Sequence, residues 1–300
     1  MNPRLGALAA LTTALLWTGT STLFTQAGRR VGSVVVNRAR LLLAAAFLTL
    51  AHAAIYGEIF PLHATPMQWL WLSASGVVGL VLGDALLFQA FVWIGPRISM
   101  LLMSLAPLMA AVISWFALDE RLNGMQILGI GLALGGVALV IQDRGNAHGG
   151  GTRQRFSRGV LFGLGAALGQ ALGLIGSKIG MGETLPPLSA NWIRMVAAAS
   201  VIWGWTGARG ETKHTIERLR TSAPARLFIL GGAFTGPFLG VWLSLVAIQH
   251  TTVGVASTLM GLTPIFLIPV GRFIFQERFG WLAVLGTLIA MTGVALLFLA

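Results

Sequence analysis

Long apolar runs alternate with short polar gaps along the whole chain. Ten runs can be read, at roughly 5–25, 34–54, 67–90, 97–117, 124–141, 159–179, 187–206, 227–248, 253–274 and 281–299. Each is about 20 residues long, the length a helix needs to cross the roughly 30 Å hydrocarbon layer of a membrane. The two-residue alternation of a membrane β-barrel is absent. The pattern predicts an all-α integral membrane protein with ten transmembrane helices. Most gaps are very short. Gly95-Pro96 separates the third and fourth runs, and Leu185-Pro186-Pro187 leads into the seventh; both are turn chemistry. Two longer gaps are polar. Residues 143–158 hold Gly149-Gly150-Gly151 and four arginines and read as a flexible linker. Residues 207–226 hold Glu211, Lys213, Glu217, Arg218 and Arg220, and suit either a short interfacial helix or a solvated loop.

The pattern also repeats. Pro107-x12-Glu120-Arg121-x7-Gly129-x6-Gly136-Val137-Ala138-Leu139 returns 157 residues later as Pro264-x12-Glu277-Arg278-x7-Gly286-x6-Gly293-Val294-Ala295-Leu296. The same offset carries Gly6 to Gly163, Gly19 to Gly176, Gly79 to Gly236 and Gly83 to Gly240. With a slip of three residues, Asn37-x-x-Arg40 returns as Asn191-x-x-Arg194. The chain therefore divides into a first repeat, 1–142, the linker, and a second repeat, 159–300. Duplicated apolar halves are a mark of membrane transporters. Five runs per half is an odd number, so the halves enter the membrane in opposite directions, as an inverted repeat. Met1 to Arg4 before an apolar run looks superficially like a signal peptide. Its glycines recur in the second half, which favours a retained first helix.

Composition agrees: 56% of residues are hydrophobic and 10% charged, with a mean hydropathy of +0.82. A soluble domain of this size needs a larger polar shell. The net charge of +11 comes from arginines in gaps beside apolar spans. That placement fits orientation signals and anionic lipid rather than nucleic acid. The gaps after the odd-numbered spans carry thirteen arginines and lysines, against two or three on the opposite side. The positive-inside rule then puts both termini outside the cytoplasm. There are no cysteines, which excludes disulfides and thiol chemistry. A Walker-type phosphate loop and a His-Glu-x-x-His motif are also absent. No cofactor or metal is expected.

The paired Pro-x12-Glu-Arg element, each followed by a glycine-rich helix ending Gly-Val-Ala-Leu, resembles the signature of the EamA family in the drug/metabolite transporter superfamily. The resemblance runs from Leu5 to Leu299, and is greatest to amino-acid exporters of the YddG type. It implies a central cavity walled by spans one to four and six to nine, with spans five and ten packed outside. It also implies a multi-pass secondary transporter of the bacterial inner membrane, working by alternating access and exporting small metabolites such as amino acids. The sequence leaves the oligomeric state open, a monomer included. Bacterial relatives are described with both termini in the cytoplasm, whereas the arginines here place them outside. The competing reading is a membrane-embedded enzyme acting on a lipid, which would need an acid–base pair or metal set at matching depth.

Ionisable residues inside spans cost about 2.5–3.5 kcal/mol each on insertion scales, and so are expected to face a cavity or a partner. Asp84 is the only acid well inside a span, and the repeat places Val241 there. It can pair with a base, bind an amino group or carry a proton. The bases are Arg38, Arg40, Lys178, Arg194 and Arg272. Asn37 and Arg40 share a helix face, and so do Asn191 and Arg194. Binding a carboxylate and gating are both open for these pairs; their presence in both halves favours a structural or gating role. Trp17, Thr18, Ser21, Gln89, Ser104, Gln170, Ser177, Trp242, Ser244, Gln249 and Thr258 supply the hydroxyls, amides and indoles that line small-molecule sites. All of these except Ser177 and Gln249, together with Arg40, Asp84 and Lys178, make up the candidate substrate site. Trp69, Trp71, Trp93 and Trp281 lie near span ends, as interfacial anchors do. Glycines four apart, at 165/169/173, 232/236/240 and 131/135, are expected to pack helices closely. Pro107 and Pro264, midway along spans four and nine, are expected to kink those helices and serve as hinges.

Overall fold

The computed structural model describes residues 3–118, 123–145, 150–182, 184–250, 259–277 and 280–299. All regular structure among them is helical. The first repeat contains α1 (Pro3–Val31), α2 (Ser33–Tyr56), α3 (Pro66–Gly76), a π-helical segment π1 (Val77–Gly83), α4 (Asp84–Met103), α5 (Ala106–Leu118) and α6 (Gly124–Gly145). The second contains α7 (Gly150–Met181), α8 (Pro187–Ala208), α9 (Thr212–Arg220), α10 (Ala223–Ala233), a second π segment π2 (Phe234–Gly240), α11 (Val241–His250), α12 (Thr263–Phe273) and α13 (Trp281–Leu299).

Among the described residues, six helical stretches are long and apolar enough to cross a membrane: Arg4–Val31, Ser33–Tyr56, Pro66–Met103, Gly124–Gln142, Arg153–Met181 and Ala223–Ser244. Thr263–Phe273 and Trp281–Leu297 are shorter apolar helices. Large apolar side chains such as Leu8, Leu50, Leu70, Leu161 and Leu227 point outward, more than three-fifths exposed. An outer face of this kind suits lipid and not water.

The boundaries follow local chemistry. Gly57 ends α2 in the left-handed conformation. Thr65 and Gln68 form a reciprocal capping box at the start of α3, with Pro66 at its first position. Gly95, at φ 80° and ψ 164°, breaks the helix before Pro96 and so divides the third and fourth runs. The stretch read as a linker is largely helical: residues 143–145 belong to α6 and 150–158 to α7. The polar gap at 207–226 carries a helix, α9. Glu211, just before it, forms an ion pair with Arg38 of α2, and Arg38 also donates to Thr215 at 2.8 Å. Hydrogen bonding to Arg38 holds the Glu211 carboxyl below its ordinary pKa.

The repeats are packed head to tail. α6 and α13, equivalent helices in the two halves, lie against each other through their signature glycines. A Cβ on Gly129 would meet Gly293 O at 2.7 Å, and one on Gly286 would meet Gly136 O at 2.7 Å. Position rises along α6 as it falls along α13, so the equivalent helices are antiparallel, the geometry of an inverted repeat. Other packings come in swapped pairs: α1 on α11 with α7 on α4, and α1 on α10 with α7 on α3. On α7, Gly169 and Gly173 lie backbone to backbone with Gly83 and Gly79 of π1, where added Cβ atoms would come within 2.9 and 3.1 Å of Cα. Gly131 and Gly135 instead face outward with nothing within 4 Å; on α6 the packing glycines are 129 and 136.

Of the expected anchors, Trp93 packs on Phe162 (centroids 4.9 Å apart) and Trp69 meets Trp192 edge-on, both half-buried. Trp281 is 71% exposed and Trp71 40%.

Candidate functional site: a cavity between the repeats

A cavity of about 450 Å³ lies between the two halves. Most of its wall is apolar: Phe24, Phe88, Phe91, Met100, Met103 and Met260. Its charged side chains, Arg40, Asp84 and Arg194, gather with Gln170 beside π1.

The π segments create that place. They occupy equivalent positions, Val77–Gly83 and Phe234–Gly240, offset by 157 residues. In each, the backbone N–H beyond the segment reaches five residues back, Asp84 to Gly79 O and Val241 to Gly236 O. In π2, Pro237 has no N–H and would clash with the carbonyl four residues back, so a wider turn relieves it. In π1 side chains serve the loosened backbone. Asn37 Nδ2 donates to Leu80 O and Val81 O at 3.3 Å, Arg40 Nη2 to Leu80 O at 3.3 Å, and Gln170 Nε2 to Gly79 O at 3.3 Å. The sequence carries one sign of this, the glycines at 79 and 83 that return at 236 and 240; only the second pair reads there as packing positions.

Asp84 sits at the end of π1 and is buried. Its Oδ2 is ion-paired with Arg40, and its Oδ1 accepts from Gln170 Nε2 at 2.7 Å. Arg40 is further held by Asn37 Oδ1 at 3.1 Å and lies over the Phe88 ring, 4.9 Å from its centroid. Each Asp84 oxygen therefore has a partner, and Arg194 of α8 also attracts it electrostatically.

The second repeat leaves the equivalent pair open. Asn191 and Arg194 of α8 line the same cavity. Asn191 Nδ2 and Arg194 Nε are buried without a hydrogen-bond partner among the described residues. Residue 241, where the repeat would place a carboxylate, is valine.

The other expected site residues fall as follows. Trp17, Ser21, Arg40, Asp84, Ser104, Gln170, Pro107 and Pro264 line the cavity. Thr18 is buried and bonds back to Ala14 O, and Ser244 bonds to Val241 O; neither reaches the lining. Gln89 accepts from Ser33 Oγ at 2.6 Å, away from the cavity. Lys178 is exposed on α7, and Ser177 is half-buried there. Trp242 lines a second cavity, of about 280 Å³, between α2, α8 and α11, which shares Asn191 and Val241 with the first. Thr258 and the Gln249 side chain lie outside the described residues, as do Glu120, Arg121 and Arg278. Sequence reasoning missed Thr13, Thr20 and Thr263, which also face the cavity.

The prolines do not sit inside continuous helices. A turn at 104–105 ends α4, and Pro107 is the second residue of α5; a turn at 261–262 precedes α12, of which Pro264 is the second residue. A proline in the first turn lacks only an N–H that has no helical partner anyway. Both runs are thus broken helices that meet the cavity at the break, not kinked ones.

Residues 4–142 and 157–299 each match the EamA-like transporter family. The chain belongs to that family. An uncharacterized transporter of Haemophilus influenzae (strain ATCC 51907 / DSM 11121 / KW20 / Rd) is 27% identical over 167 residues, 56% of this chain and 53% of that protein. The chain thus spans about half the length of that curated relative. A crystal structure of a protein 16% identical in sequence superposes with a TM-score of 0.68, covering 97% of this chain and 95% of its own, and so shares the fold.

Proposed function

We propose that this EamA-family chain is a secondary transporter that exports small metabolites, amino acids among them, across the bacterial inner membrane by alternating access. Its helical runs would make ten crossings, five in each inverted half (1–142 and 159–300), and it would work as a monomer. The name of the Haemophilus relative supports transport, as does a cavity walled by both repeats and holding a charged cluster.

The observation that carries alternating access is an asymmetry within an otherwise swapped set of contacts. In the first repeat α2 packs on α4. Their counterparts α8 and α11 have no such packing among the described residues, and the second cavity lies between them. Two halves of one design held in different arrangements are what an inverted repeat needs to exchange access from one membrane face to the other. At the other end of the bundle, Arg97 after the Gly95 break pairs with Glu277 after α12, Nε to Oε2 at 3.3 Å, tying the repeats together. Both ends of that pair fall on the arginine-rich side, which would then be closed and cytoplasmic.

The test is counterflow in proteoliposomes loaded in turn with each of a panel of amino acids. Saturable exchange of at least one, abolished by heat-inactivating the protein, is expected. No exchange of any solute would defeat the transport reading.

A further inference from the structure

We propose that Arg194 and Asn191 form an anion-docking subsite, taking the carboxylate of a monoanionic substrate whose body is apolar or aromatic. The inference deepens the transport reading, since it concerns the same cavity.

It starts from the comparison of the repeats. The motif Asn-x-x-Arg occurs on α2 and on α8. On α2 it is complete: Arg40 has Asp84 as its counter-charge, and Asn37 bonds π1. On α8 the same two residue types are present, but Val241 stands at the position of the carboxylate. Arg194 makes no ion pair among the described residues, and its Nε is buried without an acceptor. Asn191, one turn away on the same helix face, has a buried amide nitrogen in the same condition. Buried donors without acceptors are rare in folded proteins, and the Arg194 guanidinium has only the longer-range attraction of Asp84, whose oxygens already bind Arg40 and Gln170. Both residues line the cavity, and the Nη2 end of Arg194 lies beside Gly79 of π1, where a Cβ would stand only 3.5 Å away. The two donors together match what the aspartate supplies in the first repeat: an oxyanion with two acceptor atoms.

Charge and shape narrow the ligand. The ionisable residues of the lining are Arg40, Arg194 and Asp84, a net charge of one positive. A single negative charge balances it. Both Asp84 oxygens already have a partner in Arg40 and Gln170, and the lining holds no second carboxylate to receive a substrate ammonium. Recognition then depends on the carboxylate and on the remaining wall of Trp17, Phe24, Phe88, Phe91 and methionines. An amino group would be tolerated but not required.

The experiment measures binding of phenylacetate and of its uncharged isostere phenylacetamide to the purified protein in nanodiscs by isothermal titration. Phenylacetate is expected to bind at least about tenfold more tightly, the difference expected for a charge-assisted hydrogen-bonded pair. Arg194→Gln should remove that preference and leave phenylacetamide unchanged. Val241→Asp, which gives the second repeat the carboxylate of the first, should do the same. Equal binding of the two probes to the wild type, no saturable binding of either, or a folded Arg194→Gln variant that keeps the preference would overturn the subsite. Should Arg194→Gln not fold, the wild-type comparison and Val241→Asp decide. Amino-acid counterflow without a carboxylate preference would remove the subsite and leave transport standing. An Arg194-dependent preference without any counterflow would do the reverse.

Discussion

At the scale of single residues, one sequence motif has two fates. Arg40 and Arg194 are equivalent in sequence, yet Arg40 is locked in a buried network with Asp84, Asn37 and Gln170, and Arg194 faces the cavity. The network changes what a substitution at Asp84 measures. Asp84→Asn leaves Arg40 as a buried cation with its partner removed, a loss of about 3–5 kcal/mol for a broken buried pair. Its thermal unfolding midpoint in detergent should fall well below wild type. Replacing both partners with apolar side chains of similar size, Asp84→Leu with Arg40→Met, should recover most of that loss. An Asp84→Asn protein that melts with the wild type would show that the pair does not hold the fold. Only with the double variant can a transport defect at Asp84 be separated from a folding one.

At the scale of helices, glycines and breaks set the contacts. Gly136 meets the α13 backbone at Gly286 and Ala290 with no room for a side chain. Gly136→Leu should therefore drive α6 and α13 apart and cost about 1–3 kcal/mol or more; Gly135→Leu, on the open face of the same helix, should melt within a degree or two of wild type. Comparing their melting curves checks the packing directly. The paired breaks before α5 and α12 put Pro107 and Pro264 where a helix can bend without losing a hydrogen bond. As hinges they would shape turnover rather than affinity. Pro107→Ala and Pro264→Ala should each slow counterflow several-fold with little change in half-saturation, and wild-type rates in both and in the double variant would remove the hinge.

At the scale of the molecule, the arginine bias and the family's usual description give opposite orientations. One of the thirteen arginine-rich positions, Arg97, is buried and ion-paired and so is not a loop charge. The remaining excess still favours that face as cytoplasmic. A reporter active only in the cytoplasm, fused after Ala300, should be silent; strong activity there would reverse the orientation. The Arg97–Glu277 tie would then close the cytoplasmic end while the gap between α8 and α11 opens the other. Glu277→Gln should shift accessibility toward the arginine-rich face, read as increased labelling of a cysteine placed at Ser104 by a reagent added to that side.

The sequence by itself determined the class, the helical periodicity, the duplication and the glycines of the α6–α13 contact, because each is local or repeats at a fixed offset. It also marked Asp84, Arg40 and Gln170 as cavity residues, through the cost of burying polar groups in apolar runs. Tertiary structure alone decided which of those groups satisfy one another. Two arginines, each three residues after an asparagine, differ in what another helix brings to them, and π1 receives bonds from Asn37 of α2 and Gln170 of α7 that its own residues do not supply. The linker's helical character and the position of the two prolines in first turns were decided in the same way, since helix ends depend on hydrogen bonds and contacts that composition does not display.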